Sequence, residues 1–219
     1  ELMYSWFCPS GGLVLDPFAG GSVRGIVAAK LGYGYLGIEL RREQLLANEA
    51  QALAICGQDE LSPSWVEGDA RDIARLTSGH EADFLFSCPP YFDLEIYSDD
   101  HRDLSAMSWE AFVVAYAEII HNSASLLKAH RFACFVVGDV RNDSGAYRGL
   151  PELTVKLFSE AGLVKYNEAV LVTAVGSLPI RAGLHFRAAR KMGKTHQNCL
   201  VFCKGDPKRA TRLIEERSC

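Results

Sequence analysis

Short apolar runs that end in an acid recur along this chain, each followed by a stretch with helical spacing. Gly12-Leu13-Val14-Leu15-Asp16 is the first such run, and Ser22 to Lys30, rich in Val and Ala, reads as the helix after it. Gly34-Tyr35-Leu36-Gly37-Ile38-Glu39 is a second strand ending in a carboxylate, followed by a helix from about Arg42 to Ile55. Trp65-Val66-Glu67-Gly68-Asp69 is a third, weaker strand and Ala82 to Phe86 a fourth. Strands separated by helices imply right-handed crossovers and a parallel sheet.

Beyond Phe86 the pattern changes. Asp93 to Asp103 is polar and acidic, too long for a tight connection, and Trp109 to Leu127 then carries apolar residues at helical spacing. Phe132 to Asp139 reads as a fifth strand, Leu150 to Ala161 as a helix, Ala169 to Thr173 as a sixth strand and Cys199 to Cys203 as a seventh. No helical crossover separates the last two strands, which predicts an antiparallel pair across a long loop. The expected architecture is α/β: a doubly wound, mostly parallel seven-stranded sheet with an antiparallel edge strand. At 219 residues and 48% hydrophobic composition, a single domain over residues 1–219 is the natural organisation.

Composition narrows the function classes. No stretch is long and apolar enough to cross a membrane, so no membrane partner is expected. The chain begins at Glu1 without the basic-then-apolar pattern of a signal peptide, so a cytoplasmic protein cut from a longer chain is expected. Seven cysteines, with no Cys-x-x-Cys pair, argue against a disulfide framework and against zinc, and no metal site is expected. A formal net charge of -4 excludes a uniformly basic nucleic-acid surface, so any such contact must come from a local patch. Arg181, Arg187, Arg190, Lys191 and Lys194 supply one, in a stretch from Ser177 to Gln197 that carries no acid. They are the candidate phosphate-contacting residues.

Candidate chemistry gathers where strands end. Ser87-Cys88-Pro89-Pro90-Tyr91-Phe92 follows the fourth strand. Two successive prolines remove two backbone donors and fix two φ angles, so the chain leaves the sheet in a rigid turn with free carbonyls. Tyr91 and Phe92 add a flat surface, a combination that suits a planar ring bearing an amino group, such as a nucleobase turned out of its stack. A plain Pro-Pro corner over a core edge is the alternative.

Asp16-Pro17-Phe18-Ala19-Gly20-Gly21-Ser22 joins the first strand to the first helix, where doubly wound sheets bind nucleotides. Its glycines allow close approach and the helix start offers free amides. No Gly-Lys-Ser/Thr follows, so phosphate hydrolysis is not expected. Glu39 can accept from both hydroxyls of a ribose, and Asp69 from an adenine amino group. Each acid alone is more often a solvated strand end or helix cap. In series, Asp16, Glu39 and Asp69 outline a nucleoside-shaped ligand along the top of the sheet.

These motifs resemble those of the DNA amino-methyltransferases, which transfer methyl from S-adenosylmethionine to adenine N6 or cytosine N4. The resemblance rests on Asp16-Pro-Phe-Ala-Gly-Gly, Gly37-Ile38-Glu39-Leu40, Gly68-Asp69-Ala70 and Cys88-Pro89-Pro90-Tyr91, with Phe7 to Gly12 ahead of them and His196 to Lys204 closing the chain. It implies a Rossmann-like class I methyltransferase fold with S-adenosylmethionine as cofactor. Asp16, Phe18, Ala19, Gly20, Gly21, Glu39, Leu40, Asp69 and Ala70 would hold that cofactor. Cys88, Pro89, Pro90 and Tyr91 would form the catalytic group, with Ser87 and Phe92 beside the substrate base. It implies DNA as partner and a bacterial or phage-type cytoplasmic setting of the restriction-modification kind.

One position departs from that family. Asp, Asn or Ser usually precedes Pro-Pro-Tyr, where this chain has Cys88, a poor acceptor, with Ser87 one step earlier. The site must hold both hydrogens of the target amine as methyl approaches. The Pro89 carbonyl can hold one, leaving Cys88 sulfur or Ser87 oxygen for the other. Covalent attack by Cys88 on cytosine C5 would need a Glu-Asn-Val partner motif, which this chain lacks. An RNA base amino-methyltransferase and a non-catalytic module binding the cofactor and nucleic acid are the alternatives. Asp93 to Asp103 reads as a mobile lid, and a metal site of Asp93, Glu95, Asp99 and Asp100 is the lesser reading. Target recognition would fall to the loops near Asp93 and Arg181, to a missing domain or to a partner. The apolar helix face near Trp109 could serve a homodimer.

Overall fold

Successive residues on the inner strands alternate between two apolar layers. Val14, Phe84 and Cys134 sit on one face of the sheet and Leu15, Leu85 and Phe135 on the other, all fully buried. Strands buried on both faces need helices on both sides, which is why their sequence is nearly continuous in apolar residues. The computed structural model describes residues 1–57, 61–174, 176 and 178–215, the side chains of 178–182 and 215 excepted.

The strands are β1 (Leu13–Asp16), β2 (Gly34–Glu39), β3 (Ser64–Glu67), β4 (Ala82–Ser87), β5 (Leu127–Val137), β6 (Leu163–Val172) and β7 (His196–Lys204). They form one seven-stranded sheet in the order β3-β2-β1-β4-β5-β7-β6. The first five pair in parallel, and β7 runs antiparallel to both β5 and β6. The reversed strand thus stands at the expected end of the sheet, one place in from β6 at the rim. Helices α1 (Leu2–Phe7), α2 (Val23–Lys30), α3 (Arg42–Cys56) and α8 (Pro207–Glu215) cover one face. The other is covered by α4 (Ile73–Leu76), α5 (Trp109–Leu126) and α6 (Leu150–Glu160). Strand order reverses between β1 and β4, and at such a switch point the carboxyl ends of neighbouring strands part to leave a crevice.

Two expectations need correction. The stretch between the last two strands contains a helix, α7 (Leu178–Ala189), and is not an open loop. Pro179 falls in its first turn, where a missing N–H costs nothing, and Ala, Leu and Arg dominate the rest. Asp139 lies beyond β5, and its Oδ1 accepts from the amides of Val140, Gly149 and Leu150 at 2.9, 3.0 and 3.2 Å, closing the base of the 140–149 loop. On α5 the Trp109 ring stacks on Phe112 at 5.4 Å and meets the Phe92 edge at 5.2 Å. Among the described residues no helix is long and apolar enough to cross a membrane, and no group of three or more His, Cys, Asp or Glu side chains is set to hold a metal ion.

At the opposite end of the sheet from the crevice, Asp83 binds three strands together. Its Oδ2 accepts from the Leu13 amide at 3.2 Å and Lys128 Nζ at 2.9 Å, and its Oδ1 from Arg131 Nε at 3.3 Å. Burial alone would raise the carboxyl's pKa, but these donors outweigh it and hold the value below the ordinary 3.8. Asp83→Ala, which strands a buried Arg131, should lower the unfolding free energy in urea by roughly 3 kcal/mol. An unchanged midpoint would show that the cluster contributes nothing. In the wild type the Asp83 contribution is fully present above the ordinary value and is lost as pH falls through the lowered native one.

Candidate functional site

Asp16 closes β1 with its carboxylate wholly buried. Oδ1 accepts from the Phe18 amide at 3.1 Å and the Ser87 hydroxyl at 2.5 Å, and Oδ2 from Arg24 Nε at 2.6 Å and the Tyr35 hydroxyl at 2.8 Å. Arg24 Nη2 then donates to the carbonyls of Phe18 and Ala19 at 2.5 and 2.8 Å. Burial works against charge on Arg24, but the Asp16 carboxylate outweighs it and raises the guanidinium pKa. Residues from β1, β2, β4 and α2 are thereby locked to one loop. Asp16, Ala19 and Ser87, read from sequence as ligand contacts, do not line the crevice. They lie behind it, where a two-oxygen acceptor can satisfy four donors at once.

In front of that loop lies a cavity of about 510 Å³, within the range of small-molecule sites. Phe18, Gly20, Gly21, Glu39, Leu40, Asp69 and Ala70 line it, as do Cys88, Pro89, Pro90 and Tyr91. Gly20 has φ +53°, a left-handed turn that brings backbone to the cavity wall without a side chain in the way. Glu39, at the end of β2, is 7% exposed, and its Oε1 accepts from the Arg41 amide at 2.9 Å. Burial pushes its carboxyl up, against smaller opposing effects of the Arg41 amide and guanidinium and the Gly20 amide. Asp69 caps a single turn of 3-10 helix (Ala70–Asp72): it accepts from the Arg71 amide at 2.9 Å and pairs with the Arg71 guanidinium at 2.5 Å.

The Pro-Pro turn leaves β4 directly into this cavity. No N–H or O–H among the described residues donates to the Pro89 carbonyl. Cys88 Sγ lies 3.3 Å from the Tyr91 hydroxyl, which donates to the Val136 carbonyl, also at 3.3 Å. Burial pushes the Cys88 thiol up, more than the Tyr91 hydroxyl and the Arg24 charge pull it down, so the sulfur keeps its proton. The Tyr91 ring rests on Gly138, where a Cβ would come within 3.0 Å of it. Phe92 is a correction: its φ is +54°, and its side chain turns into the core against Trp109 and Phe112, away from the cavity.

The acidic segment forms the outer wall through Leu94, Glu95, Tyr97, Arg102 and Asp103. It is braced from within, since the Asp103 carboxylate accepts from the hydroxyls of Ser98 at 2.8 Å and Ser105 at 2.7 Å. Arg41 Nη1 ties it to the start of α3 by donating to the Tyr97 carbonyl at 3.4 Å. Of the basic residues singled out in the sequence, Arg187, Arg190, Lys191 and Lys194 lie outside the cavity lining, on α7 and the segment after it. The Arg181 side chain is outside the described residues. Sequence reasoning missed Arg24, Arg41, Gln44 and Gln197, all of which line the cavity. Arg24 carried a signal, a cation one helical turn past an acidic loop, whereas Gln197 becomes a neighbour only when β7 inserts beside β5.

The fold is the Rossmann-like fold of class I methyltransferases. TrmN from Thermus thermophilus matches with a TM-score of 0.58 at 17% identity, over 90% of this chain and 45% of that one, so the chain spans less than half of TrmN. A putative rRNA-methylase from Clostridium thermocellum matches with a TM-score of 0.57 at 12% identity over 92% of each chain. Magnesium protoporphyrin IX methyltransferase from Synechocystis, solved with bound S-adenosylmethionine, matches with a TM-score of 0.56 at 10% identity over 90% of this chain and 71% of that one. No protein-family model and no curated protein sequence matches this chain.

The Asp16 cluster makes a prediction that a ligand-contact role would not. Asp16→Ala leaves the Arg24 charge, the Tyr35 hydroxyl and the Ser87 hydroxyl unpaired, and should cost roughly 3 kcal/mol of stability even with the cavity empty. Thermal unfolding of the ligand-free variant checks this, and a melting temperature equal to the wild type would refute it.

Proposed function

We propose that this protein is an S-adenosylmethionine-dependent methyltransferase acting on an exocyclic amine, adenine N6 or cytosine N4, of a base in DNA. The observation that carries this reading is that the Cys88-Pro89-Pro90-Tyr91 turn opens onto the same cavity as Glu39 and Asp69. The residues there suit the cofactor. A buried carboxylate with a raised pKa is stabilised by donors from a ribose diol, and Glu39 is such a group. Ile38 and Ala70 offer apolar contact to a purine beside Asp69, and the Gly20-Gly21 backbone leaves room for the amino-acid end. When bound, the cofactor would supply an electrophilic methyl group.

This chain's residues do the rest. The Pro89 carbonyl accepts one hydrogen of the target amine. Ser87 is committed to Asp16, so Cys88 sulfur is left as the weak acceptor for the second. Holding both hydrogens draws the nitrogen lone pair out of the ring and toward the methyl. Tyr91 presents its ring to the base, and the lid wall from Leu94 to Asp103 excludes water. Proton loss follows transfer, so no strong base is needed. A thiol kept protonated by burial favours this direct route over covalent attack by Cys88.

RNA is the second reading, favoured by the shared fold of the putative rRNA-methylase. Incubation with labelled S-adenosylmethionine and either unmethylated DNA or RNA, followed by digestion and nucleoside mass spectrometry, separates the two. N6-methyladenine or N4-methylcytosine in DNA is expected; label in RNA alone would transfer the assignment, and label in neither would overturn it. Tyr91→Ala should reduce turnover by about 100-fold or more while cofactor affinity holds. Equal loss of both would contradict the role given to Tyr91.

Glu39 makes cofactor affinity pH-dependent. Only the ionised carboxylate accepts both ribose hydroxyls, so affinity should fall with decreasing pH, beginning above the ordinary carboxyl value of 4.5. Glu39→Gln should weaken binding by about tenfold and flatten the profile. Calorimetry between about pH 5 and pH 8 reads both effects, and an unchanged slope in Glu39→Gln would exclude this contact.

A further inference from the structure

Arg148 lies at the end of the 140–149 loop, beside the catalytic turn. Its amide donates to the Val140 carbonyl at 2.9 Å, and its guanidinium rests over Phe92 and Trp109, 4.7 and 4.9 Å from the ring centroids. Phe92 is the residue that follows Tyr91. Unlike Arg24, Arg41, Arg71, Arg102 and Arg131, each paired with a carboxylate, Arg148 has no anionic partner among the described residues. Its Nε is buried and donates to nothing. A buried charged donor left unpaired is costly, so a guanidinium held this way is poised for an anion that arrives from outside.

The surroundings continue the positive charge. Arg141 lies 3.8 Å over the Tyr147 ring and donates to the Gly145 carbonyl at 2.7 Å, which stiffens the loop tip. Lys194 Nζ approaches the same ring at 5.8 Å, and the Lys191 side chain packs against Gly145. The loop after β5, which starts at Gly138 against the Tyr91 ring, thus gathers Arg141, Lys191 and Lys194 around Tyr147 and Gly145, with Asp139 and Asp143 as the loop's own acids.

We propose that Arg148 is the anion anchor for the substrate: its fork binds a phosphate flanking the base held at Tyr91, and Arg141, Lys191 and Lys194 extend the strand's path. The proposal rests on the nucleic-acid reading above. A guanidinium presents two parallel donors to phosphate oxygens, and Arg148, half-buried and without a carboxylate partner among the described residues, has its fork uncommitted.

The test is salt-dependent binding of a fluorescein-labelled single-stranded oligodeoxynucleotide to the wild type, Arg148→Gln and Arg148→Lys, with cofactor affinity and melting temperature measured alongside. Arg148→Gln should bind about tenfold more weakly. Its slope of log affinity against log salt should shrink by about 0.7, the loss of one phosphate contact on a single strand. Arg148→Lys should recover the slope but not the full affinity. A second arm needs no well-folded Gln variant: neutral methylphosphonates placed one at a time along the oligonucleotide should weaken wild-type binding strongly at one position, and Arg148→Lys less there. If wild type binds and methylates the strand but the Gln slope is unchanged, or if no single phosphate position stands out, the Arg148 assignment is overturned and the methyltransferase reading stands. If wild type neither binds nor methylates DNA or RNA, the nucleic-acid reading falls and this proposal with it.

Discussion

Everything at the top of this sheet depends on one buried carboxylate. Asp16 gathers an amide, a guanidinium and two hydroxyls from the loop after β1, from α2, from β2 and from β4. The Tyr35 and Ser87 hydroxyls bind it inside the core while Arg24 closes its outer side, so the cluster ties β1, β2 and β4 to one another. The Arg24 guanidinium extends the lock to the carbonyls of the glycine-rich loop. The methyl transfer proposed above would need that rigidity, because small errors in approach are costly in rate.

Polarity in the cavity follows from topology. Parallel strands put their carboxyl ends on one side of the sheet, and at the switch point between β1 and β4 those ends diverge. The acids at or just beyond these ends sit in different surroundings. Asp16 is drawn behind the loop and neutralised by Arg24, while Glu39 and Asp69 stay on the cavity wall. The same geometry brings the Pro-Pro turn of β4 opposite Glu39 and lays the β5 loop with Arg148 beside it. Charges of both signs line the cavity wall: Glu39, Asp69, Glu95 and Asp103 face it together with Arg24, Arg41 and Arg102.

Most of the architecture was legible in the sequence, because seven apolar runs with helices between them admit few topologies. The strand-end acids and the Pro-Pro turn were legible for the same reason, since position at the end of a strand is itself a functional coordinate. What escaped was set by tertiary contact. Nothing local shows that Asp16 anchors its loop; two of its donors, Tyr35 and Ser87, are far away in sequence. Phe92 looked like a twin of Tyr91, but its positive φ turns it into the core beneath Arg148. The basic stretch hid a helix because Pro179, Gly183 and the scattered cations break its apolar periodicity, and without β-strand pairing Gln197 has no visible link to the site.

The central claim is that one cavity holds the cofactor and the methyl acceptor side by side. A crystal structure of the protein with S-adenosylhomocysteine tests it most directly. The account predicts ribose hydroxyls hydrogen-bonded to the Glu39 carboxylate, the adenine against Ile38 and Ala70, and the sulfur facing the Cys88-Pro89-Pro90-Tyr91 turn. A ligand bound elsewhere, or one whose ribose lies away from Glu39 and whose sulfur faces away from Pro89, would contradict it.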